Sequence, residues 1–163
     1  IGVMLDIPTP LDAPYEKAEK DLNETLRRAR ESVEIRRKML LAGAVQGSAH
    51  LRLREKSARE MGKLGFDVFA IGGIVPLMES YRFSELARII MHSKKFLPLD
   101  KPVHLFGCGH PMLFALAVAS GCDIFDSAAY SLYARDDRYI TAEGSMNFPA
   151  SAQYARLTSQ KKF

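Results

Sequence analysis

The sequence predicts an α/β fold of about five βα units around a parallel sheet. Three observations carry this. Short apolar runs alternate with stretches whose apolar residues recur at helical spacing. Each apolar run closes in a glycine or polar cluster. The chain has 163 residues, 47% of them hydrophobic and 26% charged. That is the size and balance of one globular domain, and at roughly 30 residues per βα unit it has room for about five.

The first run, Gly2 to Ile7, reads as a buried strand with Asp6 near its far end, stopped by Pro8–Thr9–Pro10. Ala18, Leu22, Leu26, Ala29 and Val33 then recur on one face, which predicts a long amphipathic helix over 14–38. Met39 to Val45 is a second strand, closed by Gln46–Gly47–Ser48. Leu53 to Leu64 is a helix, with Gly65 at the position after its end. Phe66 to Ile71 is a third strand, closed by Gly72–Gly73, and Arg82 to Lys95 is a helix carrying Leu86, Ile89 and Ile90. Val103 to Phe106 is a fourth strand, closed by Gly107–Cys108–Gly109. Met112 to Ala119 is a short apolar helix, and Cys122 to Phe125 is a fifth strand with Asp126 at its end. Continuous apolar strands of this kind predict a parallel sheet with helices over both faces. After Asp137 the pattern fades, so 1–137 is read as the domain and 138–163 as a polar extension.

Charge says little about partners. Lys and Arg number 23 against 19 acids, a net charge of +4. That suits a polyanion such as RNA without demanding one. The basic stretch from Arg27 to Lys38 is interleaved with Glu31 and Glu34, as on a solvated helix face. The tail, with Arg156, Lys161 and Lys162, is a phosphate contact or a frayed end. Two cysteines, Cys108 and Cys122, make no disulfide framework. No signal segment opens the chain and no apolar run is long enough for a membrane span. The expectation is a cytoplasmic protein without membrane contact.

In parallel α/β folds ligands sit at the carboxyl ends of the strands. Here those ends hold Asp6, Gln46–Gly47, Gly72–Gly73, Gly107 to His110, and Asp126–Ser127. An acid and an amide read the donor and acceptor edge of a heterocycle, glycines let backbone approach it, and a second acid serves as nucleophile or base. Singly, each is also an ordinary cap or turn residue.

Several strings resemble the catalytic domain of tRNA-guanine transglycosylases, most of all the archaeal, archaeosine-forming branch. They are LDIPTP at 5–10, VQGS at 45–48, IGGIVPLMESYRF at 71–83, and PVHLFGCGHPMLFALAVASGCDIFDSAAYSLYARDDRYIT at 102–141. The resemblance implies a (β/α)8 barrel. A full barrel takes about 250 residues, so the expectation is a partial TIM barrel, its C-terminal part. It also implies exchange of a guanine in tRNA for a 7-deazaguanine, such as 7-cyano-7-deazaguanine, by double displacement through a carboxylate.

Position by position, Asp126 in FDSA matches the family nucleophile, and Asp123 does not. Asp6 matches the acid that reads the base's N1 and amino edge. Gln46 matches the amide that reads its carbonyl side. Gly72 and Gly73 match the backbone lining the base pocket, and Phe106 a residue stacked on the base. His104 and His110 read as structural. Tyr130, Arg135 and Arg138 are candidates for tRNA contact, with solvated surface the alternative.

Two departures from the family stand out. A second aspartate, in a DSGG-like stretch and assigned general acid/base work, has no match here. The family's zinc motif, Cys-x-Cys-x-x-Cys with a later His, is replaced by FPASAQYA, with Ala150, Ala152 and Ala155 at the ligand spacing. Alanine ligates no metal, so the chain is expected to hold no cofactor although the family holds zinc. The alanines point to Cys→Ala replacement in a shortened chain, or to natural loss in a split or degenerate paralogue. Taken alone, the chain is expected to show little turnover. It is expected to pair with another copy or with a partner chain that completes the barrel. The alternatives are a non-catalytic or split-gene subunit that binds tRNA or a partner, and a small free-standing α/β domain.

Overall fold

The computed structural model describes residues 1–141 and 144–147. Five parallel strands form one sheet: β1 (Gly2–Val3), β2 (Leu41–Val45), β3 (Val68–Ile71), β4 (Val103–Leu105) and β5 (Ile124–Phe125). Their spatial order, β1-β2-β3-β4-β5, is the order of the sequence. A doubly wound sheet reverses direction at a switch point, and this one does not. Crossovers of one hand then place the helices on one face, and the sheet curls as part of a barrel. The expected partial α/β barrel is therefore found. The expectation of helices on both faces is corrected, because it would need a reversal in strand order.

The connecting helices bury the faces that their periodicity marks. α1 (Tyr15–Ile35) starts after Pro14 and buries Ala18, Leu22, Leu26 and Ala29. α2 (Leu51–Gly62) buries Leu53, Ala58 and Met61 but also Arg54 and Ser57. α3 (Val75–Glu79) is a short turn of helix that the periodicity did not show. α4 (Phe83–Lys94) buries Leu86, Ile89 and Ile90, and α5 (Pro111–Ala119) buries Leu113 and Ala117. β2 and β3 are buried at every residue, so the core lies around the middle of the sheet. Its packing leaves no room at Gly43, where a Cβ would lie 2.6 Å from the Phe66 ring.

Beyond β5 come α6 (Ala129–Arg135) and an antiparallel hairpin of β6 (Arg138–Thr141) and β7 (Gly144–Asn147). For the hairpin the sequence shows only a polar extension, since the apolar pattern fades after Asp137. Backbone pairing from Arg138↔Asn147 to Thr141↔Gly144 forms it. No helix among the described residues is long and apolar enough to cross a membrane.

Cys108 and Cys122 are free thiols buried in the core. Burial, then the neighbouring Cys108, pushes the Cys122 thiol up from 9.0 to about 12. The folded chain thus keeps a proton that the unfolded chain releases. The resulting stabilisation is complete below pH 9.0 and is lost as pH rises toward about 12. Urea unfolding of the chain and of Cys122→Ala checks this. The stability difference between them is expected to shrink above pH 9.0, by at most about 1.4 kcal/mol per pH unit. A difference constant from pH 8 to pH 11 would contradict it.

Candidate functional site

Asp6 follows β1 on a segment pinned to α1. Ile7 N–H donates to Thr25 Oγ1 at 3.0 Å, and Thr9 Oγ1 donates to Asp21 Oδ2 at 2.9 Å. Asp21 is itself buried, and its hydrogen bond from Lys17, aided by that from Thr9, holds its carboxyl below the usual range. Ser48 Oγ donates to the Pro10 carbonyl at 2.6 Å, tying the same segment to the loop after β2. Asp6 is thereby carried to Gln46, whose Nε2 donates to Asp6 Oδ2 at 2.5 Å.

Gln46 is 2% exposed. Its backbone N–H donates to Ser57 Oγ of α2 at 3.0 Å. Its side chain lies against the glycine pair after β3. A Cβ at Gly72 would fall 2.4 Å from Gln46 Nε2 and 3.6 Å from the Phe106 ring. A Cβ at Gly73 would fall 2.8 Å from Gln46 Oε1, and Gly73 sits at φ +69. Both positions require glycine, the first for room and the second also for conformation.

Phe106 follows β4 and packs edge-on against His104, ring centroids 4.8 Å apart. His104 Nε2 lies 2.8 Å from Asp126 Oδ1, which also accepts the Gly107 N–H at 2.9 Å. No described residue hydrogen-bonds Asp126 Oδ2, and the residue is exposed. Asp6, Gln46, Gly72, Phe106, His104 and Asp126 therefore form one unbroken line of contacts across the strand ends. Among the sequence-marked residues the line takes in Asp6, Gln46, Gly72, Phe106 and Asp126, with Gly73 beside Gln46.

Other positions sort differently. Asp123 is a strand tie, accepting the Val103 N–H at 2.8 Å. His110 caps α5 by accepting the Met112 N–H, as its structural reading required. His104, read the same way, instead touches Asp126. The ring spacing of two residues from Phe106 was the available signal, since alternate residues of a strand share a face. Arg138 and Asp126 both line a cavity of about 670 Å³, along with Tyr133, whose ring lies 4.6 Å under the Arg138 guanidinium. Tyr130 and Arg135 are exposed and outside that lining. No group of three or more His, Cys, Asp or Glu among the described residues is placed to hold a metal. Ala150, Ala152 and Ala155 lie outside the described residues, and their methyl groups offer no donor atom, so zinc does not fit there.

The glycine pair yields a direct prediction. Gly73→Ala is expected to cost about 1–2 kcal/mol, because an L residue is strained in the left-handed region. Its methyl group is expected to push Gln46 off Asp6. Urea titration measures the first effect, and a shift of the Gln46 side-chain amide signal in NMR measures the second. A stable variant with that signal unmoved would refute the packing described.

Residues 1–160 match the family model described as queuine tRNA-ribosyltransferase. A tRNA-guanine(15) transglycosylase of Methanocaldococcus jannaschii is 62% identical over 151 residues, covering 90% of this chain and 23% of the relative. That of Methanococcus maripaludis strain C5 is 58% identical over the same length, with the same coverage. That of Thermococcus kodakarensis is 57% identical over 168 residues, covering 99% of this chain and 29% of the relative. The chain thus spans about a quarter of the length of the curated relatives it matches. It belongs to the queuine tRNA-ribosyltransferase family, the tRNA-guanine transglycosylases.

Proposed function

We propose that this chain supplies the base-reading wall and the nucleophile of a tRNA-guanine transglycosylase. The contact line from Asp6 to Asp126 carries the reading: a hydrogen-bonding edge, an aromatic face and an oriented carboxylate lie in sequence along one rim. Asp6 accepts from the N1–H and 2-amino group of a guanine. Gln46, now engaged by Asp6, turns its amide toward the base carbonyl when the base takes its place. Gly72 and Gly73 let the backbone reach the base, and Phe106 covers a ring face.

Asp126 then acts on the ribose. His104 and the Gly107 N–H hold Oδ1, which leaves Oδ2 to attack the anomeric carbon as the guanine leaves with the bonding electron pair. The displaced guanine takes a proton from water; a 7-deazaguanine gives its N9 proton to water as N9 attacks the same carbon, and Asp126 departs as carboxylate. For this branch the incoming base is 7-cyano-7-deazaguanine, of the archaeosine pathway. Arg138 and Tyr133 border the cavity beside Asp126 and meet the tRNA strand, and the exposed Tyr130 and Arg135 of α6 are further contacts to it. The setting is cytoplasmic, where tRNA is modified.

A partner chain or second copy has its own support. β1 pairs only with β2 in the described sheet, and Val3 and Leu5 are 53% and 75% exposed. Further barrel strands would cover them.

Base binding is the informative readout, since proton transfer in the resemblance falls to a second aspartate that no residue here matches. Calorimetry on the chain is expected to show guanine bound at least about tenfold more tightly than adenine, which lacks both the carbonyl and the 2-amino group. Asp6→Asn is expected to cost about 1.5–3 kcal/mol, the worth of hydrogen bonds to a charged group. Asp126→Asn is expected to leave binding intact. Equal binding of guanine and adenine would overturn the proposal.

A further inference from the structure

The fully buried Arg54 has no part in the reaction just described, and no acid among the described residues forms a salt bridge with it. Burial pushes its guanidinium down to about 10, which leaves it charged at neutral pH. An uncompensated buried cation is costly. Its compensation is three backbone carbonyls: Nε donates to Ser48 at 2.8 Å, and Nη1 to Val45 and to Gly72, each at 2.9 Å.

Those carbonyls are not scattered. Val45 and Ser48 bracket Gln46, and Gly72 immediately precedes Gly73. In a trans peptide the carbonyl and the next N–H point in opposite directions. Fixing the Gly72 carbonyl on Arg54 therefore turns the Gly73 N–H away from Arg54. Two groups also remain open beside Gly73. Arg54 Nη2 and Gln46 Oε1 are both buried and without a described partner. A Cβ at Gly73 would lie 3.6 Å from the first and 2.8 Å from the second. A cation there favours the carbonyl end of the Gln46 amide on its side and so leaves the NH2 end toward Asp6.

We propose that Arg54 is a positioning residue for base recognition, fixing which end of the Gln46 amide and which face of the Gly72–Gly73 peptide meet the purine. This rests on the base-reading role of Gln46 and Gly73 proposed above. Arg54 touches no substrate and acts through those two residues.

A double-mutant cycle on the 163-residue chain tests it, with guanine as probe. Arg54→Met is expected to weaken guanine binding about tenfold when Gln46 is present, and by about threefold in the Gln46→Ala chain, where only the Gly72–Gly73 route is left. An equal loss in both backgrounds would mean that Arg54 does not act through Gln46 and would overturn the proposal. Arg54→Lys, which keeps the charge but not the three-carbonyl grip, is expected to fall between Arg54→Met and the unaltered chain. Should Arg54→Met fail to fold, NMR on the unaltered chain decides. Guanine is expected to shift the Arg54 Nη signals together with the Gly73 amide. A Gly73 shift with Arg54 unmoved overturns the role of Arg54 alone. If guanine shifts none of these signals, the base-reading proposal itself fails, and the role of Arg54 with it.

Discussion

Everything at the candidate site depends on one constraint, the parallel register of five strands laid down in chain order. Because neighbours in sequence are neighbours in space, five successive strand ends line a single rim. The residue that follows each strand is then brought beside the residue that follows the next. Asp6 meets Gln46, Gln46 meets Gly72, and Phe106 meets His104, which meets Asp126. A reversal of strand order anywhere would break this line into two separate sites.

Register alone does not hold side chains to fractions of an ångström. That is done from beneath by buried polar groups on the helices. Thr25 and Asp21 of α1 fix the segment after β1, and Ser57 and Arg54 of α2 fix the loops after β2 and β3. Each leaves a buried donor or acceptor unsatisfied if removed, at about 1–3 kcal/mol. The helices therefore serve two purposes with one face: aliphatic residues pack on the sheet, and polar ones reach past it to the rim. Asp126 is held differently, by a strand imidazole and a loop N–H, and stays open to solvent on its other oxygen.

Much of this was legible in the sequence. Runs such as Leu41–Val45 and Val68–Ile71 are apolar throughout, and the helices carry regular apolar spacing, so the βα alternation is written in composition. The strand ends were marked by residue type, glycine and acid where the apolar run stops. What was not legible depends on partners distant in sequence. The apolar strands were compatible with helices on both faces, and only the strand order excludes that. α3 is five residues long and the hairpin is held by backbone pairing, so neither has a side-chain period to read. His104 looked like any strand histidine until Asp126, 22 residues later, was placed against it. Nothing local in the sequence marks Arg54 as pointing inward, and its burial follows from carbonyls on loops distant from it.

The central claim is that one rim holds a guanine by its hydrogen-bonding edge and turns its N9 toward Asp126. The most direct test is a crystal structure of the chain soaked with guanine. The account predicts the N1 and 2-amino edge on Asp6, the carbonyl within hydrogen-bond reach of Gln46 and the Gly73 N–H, Phe106 against a ring face, and N9 directed at Asp126. A base bound away from Asp6, or lodged in the cavity beyond Asp126 with its edge unread, would contradict it.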